Sequence, residues 1–179
     1  MDSISTSTLF AVLAVMLLTS AFFSTSETAM MAINRYRLRH AAESGVRGAM
    51  RAQALLDQTD KLLGVILLGN NLVNSASGTL SAVLAIRLFG DGEMVLFVAT
   101  LLLTFLILVF SEVTPKVIGA SFPERVAYPA TLLLTPLLTL AYPVVWFVNL
   151  FVQGILKLLH IKQPDPGQGN SLGLQELRT

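Results

Sequence analysis

Three short clusters of oxygen-bearing side chains interrupt an otherwise apolar chain: TSAFFSTSET (residues 19–28), LLGNNLVNSASG (67–78) and SEVTPKVIG (111–119). In the first, Ser20, Ser24 and Glu27 or Thr28 recur at i, i+4, i+7 and i+8, the spacing of one helical face. The second holds three asparagines within five residues, with Asn70 and Asn74 one helical turn apart and Asn71 on an adjoining face. In the third, Pro115 has no N–H to give to the carbonyl of Ser111, which frees that oxygen beside Glu112. Lys116 follows Glu112 at i+4, placed to pair with it, and Gly119 permits a further departure from helix. Hydroxyls, carboxamides, one carboxylate and freed carbonyls make an all-oxygen donor set. Mg²⁺, Ca²⁺ and Mn²⁺ prefer such donors, whereas zinc and copper favour histidine or cysteine. The chain has no cysteine, and His40 and His160 lie in polar flanks, so soft metals and thiol chemistry are set aside. Na⁺ is the other ion such neutral oxygens serve.

Each cluster also has a plainer reading. Serine hydroxyls in helices bond back to the preceding turn or help helices pack. Gly69, Ser75, Ser77 and Gly78 are small enough for close helix packing alone. Glu27 stands near an arginine-rich loop that could neutralise it. Glu112 and Lys116 could be an ordinary pair at the membrane surface, with Pro115 as a stop signal.

The clusters need a scaffold, and the composition says which kind. Hydrophobic residues make up 54% of the 179, charged residues only 13%, and the mean hydropathy is +0.70. Soluble domains carry about 25% charged residues, so the chain is predicted to be an all-α integral membrane protein. Three segments reach spanning length, at about residues 7–33, 62–86 and 94–119. Asp2 stands where a signal peptide would carry basic residues, so the first segment reads as a span. Residues 35–58 between the first two spans hold Arg35, Arg37, Arg39, Arg47 and Arg51, a cytoplasmic signature. Their pattern predicts short amphipathic juxtamembrane helices broken at Gly45 and Gly48. The N-terminus is then outside, the turn RLFGDGE outside, and Lys116 and Arg125 inside.

The last apolar stretch, about 124–160, ends on Lys157, His160 and Lys162, again cytoplasmic in character. With both ends inside, and with Pro129, Pro136 and Pro143 along it, it is predicted to form a Pro-broken helical hairpin on the cytoplasmic side. One ordinary fourth crossing is the alternative. Residues 163–179 have linker composition and point toward a cytoplasmic domain beyond them. The expected division is therefore a transmembrane ion-transport domain over 1–162, then a linker.

Taken in order and at these separations, FSTSETAM with its basic loop, LLGNNLVN and SEVTPKVIG resemble the transmembrane domain of the CorC / cyclin M (CNNM) family of magnesium transporters. The resemblance covers roughly residues 5–160. It implies three spanning helices with juxtamembrane helices, a homodimer in the plasma (bacterial inner) membrane, and a following pair of CBS domains that bind ATP. It also implies Mg²⁺ efflux driven by Na⁺ influx. Family ligands would map onto Ser20, Ser24, an asparagine of LLGNNLVN (Asn70 first, Asn74 second), Glu112 and a backbone carbonyl near Gly119. Beside them, the kink at Pro115 is expected to serve as a hinge, with Lys116 pairing with Glu112 when the site is empty.

Two other classes compete with transport. A Ser24–Lys116 dyad would suit an intramembrane protease, but no span carries a histidine and no HExxH motif occurs, so no enzymatic activity is expected. A non-transporting, Mg²⁺-sensing membrane anchor would bind the ion without moving it. Nothing in the charge pattern calls for nucleic acid; the net charge is +1.

Overall fold

The computed structural model describes residues 4–158 and is all-α. Residue 159 onward, with His160 and the expected linker, lies outside the described residues. The chain divides into two compact units at the Tyr142–Pro143 boundary. Seven α-helices run α1 Thr6–Ala32, α2 Arg35–Glu43, α3 Arg47–Leu56, α4 Thr59–Phe89, α5 Glu93–Leu106, α6 Thr114–Ser121 and α7 Pro123–Leu158. A π-helical segment, Ile107–Val113, joins α5 to α6. Three stretches are long and apolar enough to cross a membrane: Thr6–Ala32, Thr59–Phe89 and Glu93–Ser121.

Local chemistry explains the boundaries. Ser5 caps α1, its Oγ accepting from the Thr8 N–H at 3.2 Å. The Asn34 side chain caps α2 by accepting from the amides of Tyr36 and Arg37. Helix α2 ends in a Schellman motif, with Gly45 at φ 85° and amides of Gly45 and Val46 bonded to Ala42 and Ala41 carbonyls. Gly45 is thus the expected break. Gly48 is not: it lies inside α3, where a methyl group would stand 2.7 Å from Cβ of Tyr128 on α7. Its smallness serves packing between helices rather than a turn.

In the first unit, packing concentrates at the arginine-rich end. Phe23 and Met30 of α1 and Ile33 just after it meet Leu38 of α2, Ala52, Leu55 and Leu56 of α3, and Leu62 and Ile66 of α4. Ala127, Ala130 and Leu134 of α7 close the same cluster. Their spacing of three, then four, residues puts them on one stripe of α7. Arg37 and Glu124 tie α2 to the start of α7 with a 3.1 Å ion pair. Toward the other end, Val15 and Leu18 on α1 and Phe97, Leu101 and Phe105 on α5 are exposed, as side chains facing lipid tails must be.

A single helix occupies the stretch where a Pro-broken hairpin was expected. Pro129 and Pro136 are seven residues apart, so they share a helix face, and both are exposed, away from the Ala127–Leu134 stripe. Each removes one hydrogen bond from the outward side only. The Thr131 and Thr135 hydroxyls bond to the Tyr128 and Thr131 carbonyls, not to those of Arg125 and Leu132, which lose their helical donors to the prolines. Helix therefore survives prolines that read, one by one, as breaks.

The Gly48–Tyr128 contact leaves no room for a side chain, and the blocking atom is close to the α7 backbone. Gly48→Ala is expected to cost about 1–3 kcal/mol, read as a lower midpoint in thermal melts followed by circular dichroism in detergent. Gly78→Ala adds a methyl with nothing within 4 Å and should fall within about 1 kcal/mol of wild type, on the stabilising side.

Candidate ion site between the spanning helices

The hydroxyls along the second half of α1 behave differently from one another, and the buried Ser26 hydroxyl has no hydrogen-bond partner among the described residues. Thr19, Thr25 and Thr28 hydroxyls bond back to carbonyls four residues earlier, the plain behaviour of hydroxyls in helices. Ser20 and Ser24 do not. The Ser20 hydroxyl points across to α4 and lies 2.7 Å from Asn70 Oδ1 and 2.8 Å from Asn74 Oδ1. Ser24 Oγ faces the Glu112 carbonyl of the π segment at 3.4 Å. Both serines are fully buried.

The Ser20 junction is rich in acceptors. A hydroxyl has one proton, so it satisfies only one of the two carboxamide oxygens fully at a time. Three oxygens from two helices converge on one proton. Asn71 plays no part: it is exposed, whereas Asn70 and Asn74 are half-buried. The i, i+4 spacing is what lets both reach the same hydroxyl. Next to Asn70, Gly69 makes the approach of α1 and α4 close, with Phe23, about a turn past Ser20, filling the space its side chain would take.

The third strand of the arrangement is the π segment. Its bonding runs one residue longer than in an α-helix, as between the Thr114 amide and the Val109 carbonyl. Pro115, buried at the start of α6, ends it. The change of register delivers two contacts to α1. Ser111 Oγ donates to the Leu17 carbonyl at 3.0 Å, and the Glu112 carbonyl receives Ser24. Ser111 is fully buried and is a positioning residue that sequence reasoning used only for its carbonyl. The π-helix itself had one signal in the sequence, the proline two residues past its end.

Gly119 is buried where α6 crosses α1. A methyl there would stand 2.5 Å from the Thr25 carbonyl oxygen and 3.1 Å from the Ala29 amide, so the two backbones are nearly in contact. The residue four places on is Pro123, which has no N–H, so the Gly119 carbonyl lacks its helical donor. The plainer readings of the two carboxylates, as halves of ordinary ion pairs, do not hold. Glu112 is half-buried and Lys116 exposed, and they form no ion pair; the π segment holds one and α6 the other. Glu27, also half-buried, meets no arginine. Among the described residues neither glutamate side chain has a hydrogen bond or ion pair, and the ion pairs found are Arg37–Glu124 and Arg39–Glu43. No cluster of three or more histidine, cysteine or acidic residues occurs among the described residues, so any ion held here would rest chiefly on neutral oxygens.

Of the residues singled out from the sequence, Ser20, Asn70 and Asn74 are in mutual contact, and Ser24 reaches Glu112 through its backbone. Gly119 is buried against α1 at Thr25 and Ala29, Pro115 is buried at the start of α6, and Lys116 is exposed. Ser24 and Lys116 make no hydrogen bond to each other.

Comparison with known proteins places this arrangement. An inner membrane protein of Escherichia coli, YfjD of the UPF0053 group, is 47% identical over 160 residues, which is 89% of this chain and 37% of that protein. A UPF0053 protein of Haemophilus influenzae is 44% identical, over 90% of this chain and 38% of its own length. An Arabidopsis thaliana DUF21 domain-containing protein, described as chloroplastic, is 33% identical over 84% of this chain and 23% of its own length. The chain thus spans less than two fifths of the length of these relatives. Residues 11–179 match the family described as the cyclin M transmembrane N-terminal domain. With its three spanning stretches and the matched residues covering nearly all of it, the chain belongs to the CNNM family.

Proposed function

We propose that this chain is the ion-conducting domain of a Mg²⁺ transporter that exports Mg²⁺ against Na⁺ influx. The observation that carries the reading is the convergence of Asn70 and Asn74 carboxamide oxygens on the single Ser20 hydroxyl. A cation in that place would satisfy both carbonyl oxygens at once, which one proton cannot. Mg²⁺ sheds water reluctantly and demands six oxygens at about 2.0–2.1 Å, so a dehydrating site must gather ligands from several elements. Ser20 and Ser24 from α1, Asn70 and Asn74 from α4, Glu112 from the π segment and the undonated Gly119 carbonyl are the candidates. Glu112 supplies charge, and the neutral oxygens keep binding weak enough for release. Pro115 and the π segment form a hinge, since broken helices are where membrane transporters expose backbone oxygens to ions. Lys116 flanks that hinge. Na⁺ arriving from outside would compete for the neutral oxygens and reset the site.

In this reading the arginine-rich end, with α2 and α3, is cytoplasmic and the N-terminus is outside. A homodimer, and a CBS-domain pair binding ATP in the longer protein, belong to the same proposal. None of the chemistry requires enzymatic activity.

Reconstituted into vesicles loaded with a Mg²⁺-sensitive dye, the chain should carry Mg²⁺ against an opposing Na⁺ gradient, with the flux collapsing when the gradient is removed. Glu112→Gln should cut that flux at least tenfold; flux unchanged in the variant would contradict the reading. Mg²⁺ binding without flux would favour the sensing anchor instead.

A finer test uses the two kinds of hydroxyl. Ser20→Ala should weaken Mg²⁺ binding, measured by calorimetry, about tenfold, the scale of one lost hydrogen-bond-strength ligand. Thr28→Val, which removes a back-bonded hydroxyl, should leave it within about twofold.

A further inference from the structure

We infer that Glu27 is the second charge of the ion path, standing between the ligand cage and the cytoplasmic end of α1; the inference rests on the Mg²⁺ reading above. Three observations carry it. First, Ser20, Ser24 and Glu27 fall at i, i+4 and i+7, one helix face, and the two serines fix where that face looks. Ser20 bonds to α4 and Ser24 to the π segment, so the face lies along the wedge between those elements. Second, Glu27 lies three residues past Ser24, about 4.5 Å further along the helix axis, and five before α1 ends at Ala32. It is therefore the next group on that face between the cage and the arginine-rich surface.

Third, Glu27 is half-buried with no hydrogen bond or ion pair among the described residues. The arginines of α2 form no ion pair with it. Arg37 is held by Glu124 and Arg39 by Glu43, both at 3.1 Å, and Arg35 is exposed. A carboxylate on a spanning helix without a partner is costly unless a cation visits it.

Charge arithmetic then gives it a role. A dication beside Glu112 alone leaves one net positive charge at membrane depth. Glu27 brings the sum to zero without joining the coordination shell. A hydrated Mg²⁺ meets Glu27 first, through water, and loses its waters at the cage beyond. On this account the carboxylate raises occupancy of the cage through its field and not as a ligand, and aspartate at the same position would serve nearly as well.

The test measures equilibrium Mg²⁺ binding by calorimetry on wild type, Glu27→Gln, Glu27→Asp and Glu112→Gln, alongside thermal melts. Glu27→Gln should raise the dissociation constant about tenfold, the effect of one charge removed several ångströms from the ion. Glu27→Asp should stay within about threefold of wild type, and melting midpoints of both should remain near wild type in the absence of Mg²⁺. If Glu27→Gln binds Mg²⁺ as wild type does while Glu112→Gln fails to bind, the role given to Glu27 is overturned and the cage stands. A shift in melting with no change in affinity also overturns it, since that is a structural role. Should Glu112→Gln bind normally, the cage reading itself fails, whatever Glu27 does.

Discussion

Ser20 is where α1 and α4 are joined at depth, and the rest of the arrangement depends on that junction. Lipid offers a polar side chain no partner, so three uncharged oxygen groups there must satisfy one another. They do so incompletely, with two carbonyl oxygens sharing one hydroxyl proton. Interhelical bonds of this kind contribute only about 0.6–2 kcal/mol each, which is enough to set a register and too little to lock it. The same groups that hold the helices together thus stay available to a competing ligand. A leucine–alanine interface could have joined the helices more simply, but it would have offered an ion nothing.

The third spanning stretch is built around a break, and the break is supported from α1. Ser111 and Ser24 tie the π segment to α1 at two carbonyls, one on each partner. Gly119 then brings the α6 backbone against α1 with no side chain between. Register shift, proline and glycine act together. The π segment brings the Ser111 hydroxyl and the Glu112 carbonyl to α1, Pro115 returns the chain to α-helix, and the missing side chain at Gly119 lets α6 stay close. Below this, the apolar cluster of α2, α3 and the first part of α7 supports the ends of α1 and α4. It resembles the core of a soluble domain, and its stability comes from burial rather than from membrane packing.

Much of this was legible in the residues because lipid leaves few solutions. Runs of apolar residues gave the three spans to within a few positions, and Gly45 gave the break between α2 and α3. The i, i+4 spacing of Asn70 and Asn74, and of Ser20 and Ser24, marked faces that the fold brings together. What the residues did not reveal depends on contacts between elements. Gly48 and Gly45 look alike in sequence, and only the presence of Tyr128 across from one makes it a packing site. Pro129 and Pro136 read as breaks, yet their seven-residue spacing confines them to one exposed face. A single proline could not distinguish a freed carbonyl from a whole π-helical turn. Glu27 and Glu112 each had a basic residue at plausible distance in sequence, and in both cases the fold turns that residue elsewhere.

The claim on which the account turns is that an ion sits where Ser20, Asn70 and Asn74 converge, within reach of Glu112. Mn²⁺ takes the oxygen ligands that Mg²⁺ takes and scatters anomalously, so diffraction from crystals grown with Mn²⁺ locates it directly. One anomalous peak is expected within about 2.0–2.3 Å of Ser20 Oγ, an asparagine carboxamide oxygen and the Glu112 carboxylate, with the Ser20–asparagine hydrogen bonds replaced by ligation. A peak held elsewhere in the membrane-spanning region, with those hydrogen bonds intact, would contradict it.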